Sequence, residues 1–239
     1  MKKILVCGAT GFIGRNIAVS LAAQEEYEVY GTYLNSEPFI DSRINFRQID
    51  LTDKDAVNEI MIGMDVVIQA AAVTTGSNDT INRPYIHVTD NAVMNSLILR
   101  ACYQQKVSHL VFFSCAAMYQ SSDIPVKETD FDPNQEMYPS YFGIGWTKFY
   151  IEKMCEFYSG LGGIRFTVLR HSNIYGPFDK FDLQKSHVTG ATITKVMTAK
   201  EGDKIVIWGE GNEERDLLYI SDLVDFVGLA IEKSGPPFE

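Results

Sequence analysis

The chain has 239 residues, 46% of them hydrophobic and 22% charged, with a formal net charge of −10. That length carries one or two domains, with a core large enough to need neither disulfides nor a structural metal. The acidic balance excludes a nucleic-acid binder and a protein held on an anionic membrane surface, but leaves room for a local basic pocket that takes a phosphate-bearing small molecule.

Short apolar runs alternate with helical segments from the first residues. Ile4–Cys7 reads as a buried strand, followed by a glycine turn and a helix over Phe12–Ala23. Glu28–Thr32 and Asn45–Gln48 read as the next strands, with a short helix over Asp53–Met61. Val66–Gln69 is a strand, and Asn91–Gln104 has apolar residues at helical spacing. His109–Ser114 is a strand, Lys148–Ser159 a helix and Arg165–His171 a strand. Strands without alternation, separated by helices, indicate a parallel sheet covered on both faces. The class is α/β, a doubly wound parallel sheet of the Rossmann type.

The pattern loosens after Tyr175. A helical run over Ala191–Ala199, a short strand over Ile205–Trp208 and a Ser-capped helix over Ser221–Lys233 make a smaller lobe on the sheet's carboxyl edge. The division is 1–175 for the dinucleotide-binding domain and 176–239 for a partial substrate lobe, with the chain exchanging between the two. The chain stops at Pro236–Glu239 with no terminal element of its own, which reads as a truncated lobe.

Cys7, Cys102, Cys115 and Cys155 form no C-x-x-C pair and no zinc spacing with histidine. They read as reduced thiols of a cytoplasmic protein, three of them buried, and no metal site is expected. The run Ile4–Cys7 is too short for a signal peptide, and no stretch approaches the roughly 20 apolar residues of a membrane span.

Gly8-Ala9-Thr10-Gly11-Phe12-Ile13-Gly14 follows the first strand and opens a helix. Glycines there let the turn close, let backbone N–H groups approach a pyrophosphate and let helix pack on strand. The helix N-terminus then faces the phosphates. The end of the second strand reads the adenosine ribose. Gly31-Thr32-Tyr33-Leu34-Asn35 has no acid until Glu37, with Arg15 upstream and Arg43 downstream, so the cofactor is NAD or NADP with a lean to NADP. Asp50-Leu51 ends the third strand, where the carboxylate either meets the adenine amino group or caps the next helix. Ala70-Ala71-Ala72 are small enough for a flat cofactor to lie on their backbone.

These stretches resemble the extended short-chain dehydrogenase/reductases, the NAD-dependent epimerase/dehydratase family that modifies nucleotide sugars. Gly8–Gly14, Asp50-Leu51-Thr52, Asn91, Phe113–Tyr119, Lys148-x-x-x-Glu152 and Leu169-Arg170-x-x-Asn173-Ile174-Tyr175-Gly176-Pro177 carry the likeness. So does Arg215-Asp216-Leu217-Leu218-Tyr219-Ile220-x-Asp222, which looks like the segment that grips the sugar nucleotide's diphosphate. Gly176-Pro177-x-Asp179 followed by Ser186-His187-Val188 looks most like members that act on GDP sugars. The resemblance implies an NAD(P)-dependent oxidoreductase or epimerase working at C4 of a nucleotide sugar, GDP-linked by its nearest likeness, in a homodimer built through Asn91–Gln104 and Lys148–Ser159. It also implies that Asn91 serves the cofactor, Asn173 and Arg215 the substrate, and that members continue beyond the equivalent of Glu239.

In that chemistry a tyrosine moves the proton, helped by a lysine one helical turn later, and a Ser or Thr bonds the same sugar oxygen. With Lys148 as the lysine, the tyrosine position falls on Ile144 and the Ser/Thr position on Cys115. Tyr141 is the candidate replacement if Gly143 and Gly145 break the helix start; otherwise it packs at the lobe interface. His187 and Tyr175 are further candidate acids, each with a bland core or loop reading. The competing functional class is a catalytically impaired relative that binds NAD(P) as a sensor or assembly subunit.

Overall fold

The computed structural model describes residues 1–74, 82–183, 186–206, 211 and 214–239. Six parallel strands, β1 (Lys2–Cys7), β2 (Tyr27–Tyr33), β3 (Ile44–Gln48), β4 (Val66–Gln69), β5 (His109–Phe113) and β6 (Arg165–Leu169), form one sheet in the order β3-β2-β1-β4-β5-β6. Between them run α1 (Phe12–Ala22), α2 (Lys54–Ile60), α3 (Thr89–Gln104) and α4 (Phe142–Gly160). The strand order reverses between β1 and β4, and in such sheets ligands bind at that crevice beyond the carboxyl ends.

Both faces of the sheet are buried, which explains the apolar runs without alternation. Leu5, Val67, Leu110 and Phe112 meet Val57 and Met61 near α2, Ile98 of α3 and Ile151 of α4. Val6, Ile68, Val111 and Phe113 meet Ile17 and Leu21 of α1 and Leu223 and Val227 of α6 (Ile220–Glu232). Residues 220–232 therefore lie on the main sheet although they follow position 176. The smaller elements are β7 (Asn173–Tyr175), α5 (Val188–Thr198) and β8 (Leu217–Tyr219), with β7 and β8 paired in parallel. The chain's last residues also join the sheet: Phe238 bridges to Phe166, and Glu239 N–H donates to the Phe166 carbonyl.

Several expectations are corrected. The helix placed at 148–159 begins at Phe142, so Gly143 and Gly145 lie inside it. They do not break it because they are packing positions. A Cβ on Gly145 would stand 2.6 Å from the Met137 sulfur, and one on Gly143 2.8 Å from Val88 Cγ2. The strand placed over Arg165–His171 ends at Leu169, and Asn173–Tyr175 starts the second sheet. Ser221 does not cap its helix: Tyr219 holds the cap position, and the Ser221 hydroxyl bonds Asp222 instead. Residues 205 and 206 are not in a strand, and the rest of Ile205–Trp208 lies outside the described residues.

Candidate active site

The glycine turn sits at the carboxyl end of β1, beside the crevice. Gly8 has φ +74°, and a Cβ there would lie 2.7 Å from Ala71 Cα. Only glycine fits that left-handed, crowded position. Its N–H donates to Thr32 Oγ1 at 3.0 Å, and Gly11 N–H closes the turn on the Gly8 carbonyl at 3.0 Å. A Cβ on Gly14 would lie 2.2 Å from the Gly8 oxygen, so α1 rests directly on the turn. Gly11 caps α1 without a side chain, and Thr10, Phe12 and Ile13 lie only partly buried around that helix start. This cradle fits a pyrophosphate.

Around it, Asp50 follows β3 by two residues and is exposed, its Oδ1 accepting from the N–H and hydroxyl of Thr52 at 2.9 and 2.7 Å. Those bonds hold its carboxyl below the usual range. Asp53, not Asp50, caps α2, accepting from Asp55 and Ala56 N–H; Leu51 is buried between them in sequence. Arg43 is held by Asp41 through two bonds of 2.9 and 2.6 Å. Arg15 is stacked between Phe39 and Phe178, its guanidinium carbon 4.3 and 3.9 Å from the ring centres, and its buried Nε has no partner among the described residues. Next to it, Asn16 Nδ2 donates to the Pro177 carbonyl at 3.0 Å.

The segment Ala70-Ala71-Ala72 after β4 is held by a polar lattice absent from the sequence reading. Asn91 accepts from Val73 N–H at 2.9 Å and donates to the carbonyls of Val73 and His87 at 3.0 and 2.8 Å. Both its donors are spent on backbone, so Asn91 fixes the segment after β4 and has no N–H left for a ligand. Gln69 and Asn95 extend the lattice with a 3.0 Å bond.

At the far side, Lys148 Nζ donates to the Phe113 carbonyl at 2.6 Å and lies 4.8 Å from the centre of the Phe112 ring. Burial lowers its pKa, opposed by the charges of Cys115 and Glu152. Cys115, in extended backbone just past β5, is partly buried; burial raises its thiol pKa and Lys148 opposes this. Behind them Glu152 and Arg170 form a buried pair, with bonds of 2.7, 3.1 and 3.2 Å, and Arg170 also donates to the Tyr119 hydroxyl at 3.0 Å. That pair cancels its own charge, which leaves Lys148 as the positive group facing Cys115.

Ile144 stands one helical turn before Lys148, half-buried, with no proton to give. Tyr141 is not brought in beside Lys148. It caps α4, is 39% exposed and leans on the exposed Tyr138, rings 5.7 Å apart. The continuous helix from Phe142 keeps it two turns from the lysine. His187 caps α5; its outer edge is exposed, and desolvation of the rest lowers its pKa, opposed by Asp179. Asn173 spends its Nδ2 on the Asp216 carbonyl at 3.2 Å and so holds the strand that follows Arg215. Arg215 itself is exposed and makes no side-chain hydrogen bond or ion pair among the described residues. A cavity of about 300 Å³ opens between β7 and α5, lined by Tyr175, Pro177, Phe181, Gly190, Ile193 and Tyr219.

Comparison with known proteins decides the kinship. Residues 4–239 match the family described as the NAD dependent epimerase/dehydratase family. The chain belongs to that family. It is 28% identical over 97% of its length to the GDP-L-fucose synthase of Azorhizobium caulinodans, spanning 71% of that protein. It is 30% identical over 94% of its length to the GDP-L-fucose synthase of Sinorhizobium fredii, spanning 68% of it. Among solved structures, it superposes on the UDP-glucuronic acid 4-epimerase of Bacillus cereus, crystallised with UDP-glucuronic acid and NAD, with a TM-score of 0.80. That pair is 26% identical and covers 98% of this chain and 74% of the other.

One residue of this family member escaped the sequence reading. His171 lies at the same edge as Lys148 and Cys115, and a lone histidine within Leu169–Asn173 gives no signal by composition. The pairing register of β5 with β6 would have found it, since Phe113 pairs with Leu169 and the same register carried on two residues sets Cys115 opposite His171.

Proposed function

We propose that this chain is an NAD(P)-dependent oxidoreductase or epimerase acting at C4 of a nucleotide sugar, GDP-linked in the first instance. The observation that carries the reading is the half-buried Lys148, its ammonium fixed on the Phe113 carbonyl near Cys115. Gly8, Thr10, Gly11, Phe12, Ile13 and Gly14 hold the pyrophosphate, and Asp50, Leu51 and Ala70–Ala72 line the adenosine side. A bound nicotinamide supplies a hydride acceptor or donor. Lys148 binds the ribose next to that ring and places positive charge where a sugar oxygen turns negative. The Cys115 thiol, kept protonated, donates to that oxygen. The sugar's diphosphate reaches Arg215, and its nucleotide lies toward the cavity beside α5.

The preference for GDP rests on the two curated relatives, whose names carry a GDP sugar. The lean to NADP rests on Arg15 alone, since Asp41 neutralises Arg43. A second copy is expected to pack on α3 and α4, which leave Val93, Tyr103, Tyr150 and Phe157 exposed.

The test is a single turnover followed by nicotinamide absorbance, with NAD⁺ or NADP⁺ and GDP-mannose or a UDP sugar, and with Lys148→Ala as control. A Lys148-dependent change supports the reading. Bound cofactor that never changes redox state supports the alternative, an impaired relative serving as a sensor or assembly subunit. Ile144 over Lys148 and the outward Tyr141 favour that alternative.

A further inference from the structure

Removing a hydride from a carbinol carbon requires its hydroxyl to lose a proton, so the site needs a base within reach of that oxygen. Ile144 has none. Tyr141 is outside, Tyr175 lies against Tyr219 with rings 5.3 Å apart, and the Cys115 thiol holds its proton. We propose that His171 is the proton carrier of this site, taking the hydroxyl proton on Nε2. The proposal rests on the sugar chemistry inferred above.

Three observations converge on it. The first is register. Ser114 N–H donates to the Leu169 carbonyl and Ala116 N–H to the His171 carbonyl, at 2.8 and 3.1 Å, so the pairing of β5 with β6 runs on past both strand ends. Cys115 therefore stands opposite His171, and paired residues of parallel strands send their side chains to the same side. The second is the meeting point: the His171 ring packs edge-on to Phe113, 6.3 Å between centres, and the Phe113 carbonyl is the one that holds Lys148. The third is the tautomer. His171 Nδ1 lies 2.7 Å from the Ser172 carbonyl, which only accepts, so the proton is on Nδ1 and Nε2 offers a lone pair. Nε2 has no partner among the described residues.

Lys148 on α4 and His187 ahead of α5 are the charged or titratable groups that bear on this imidazole. Burial above all lowers its pKa, to about 4; the bond to the Ser172 carbonyl opposes this, and the charges of Lys148 and His187 add to the lowering. At neutral pH it is the free base. In the oxidative direction the O–H bond breaks and its proton goes to Nε2. The C–H electron pair leaves with its hydrogen as hydride to the nicotinamide, and the carbonyl forms. In the reverse direction the imidazolium returns the proton.

The experiment compares wild type with His171→Ala and His171→Asn, the second keeping a donor for the Ser172 carbonyl. Hydride transfer in a single turnover is expected to fall about 100-fold in both, with cofactor affinity held within about twofold. Added imidazole is expected to restore part of the His171→Ala rate as its free-base fraction rises. A second readout needs no turnover: the 15N resonances of His171 should show the Nδ1–H tautomer, and Nε2 should shift when GDP-mannose joins the cofactor complex. Variants that keep the wild-type rate overturn His171 and leave the sugar reading standing. A wild type that transfers no hydride overturns the sugar reading; an Nε2 resonance unmoved by the sugar nucleotide then overturns His171 as well.

Discussion

Lys148 Nζ and the carbonyl oxygen of Phe113 lie 2.6 Å apart, joining the middle of α4 to the last residue of β5. The bond spends one of three ammonium donors and leaves two. Replacing Lys148 by Met keeps much of the stem and removes the charge. Cofactor affinity is then expected to fall about tenfold, the worth of one charge-assisted bond, and hydride transfer to drop below detection. Titration of cofactor fluorescence and stopped-flow absorbance check the two effects separately.

The glycines give a paired stability test. Gly14→Ala puts a Cβ at 2.2 Å from the Gly8 oxygen, so α1 must lift off the turn. We expect a loss of about 1–3 kcal/mol, as for overpacking in a filled core, and no measurable cofactor binding. Gly228 in α6 has nothing within 4 Å of its Cβ position. Gly228→Ala is expected to stabilise by about 0.5–1 kcal/mol through helix propensity. Urea unfolding of both variants should move the midpoint in opposite directions.

The Glu152–Arg170 pair is 6% and 14% exposed at its side chains. Glu152→Gln leaves a buried guanidinium without its counter-ion and is expected to cost about 3–5 kcal/mol. The double variant Glu152→Gln, Arg170→Met should recover part of that. Denaturation of the two single variants and the double gives the coupling directly, and additive losses would contradict the buried pair.

Acid should weaken the fold from its lower edge. His109 sits between Thr167 Oγ1 and Arg165, each 2.9 Å from a ring nitrogen. Burial, then Arg165 and Lys2, lower its pKa from 6.5 to about 3. Between those values the unfolded chain takes a proton that the native state refuses. This contribution is therefore complete above the unfolded pKa and is lost as pH falls toward the folded one, by up to about 1.4 kcal/mol per pH unit. His171 acts in the same direction. Urea midpoints at neutral and mildly acid pH should separate less in His109→Gln than in wild type.

Much of the fold was legible because each strand is buried on both faces and reads as an apolar run, and because the Gly8–Gly14 turn needs its glycines for steric reasons visible in the residue types. The start of α4 was not legible. Gly143 and Gly145 disfavour a helix locally, and only the neighbours Val88 and Met137 reveal why glycine is required there. Asn91 was expected to serve the cofactor, whereas its amide serves the backbone of Val73, a long-range pairing that no spacing encodes. His171 becomes visible only when β5 and β6 are set in register.

The stack of Arg15 between Phe39 and Phe178, with Asn16 bonded to Pro177, ties the start of α1 to the chain that enters the smaller lobe. Sugar preference in a chimera is therefore not a portable cassette. A donor segment grafted after Tyr175 would arrive without its counterpart at positions 15, 16 and 39, and the hybrid would need those three exchanged with it before its two halves met in register.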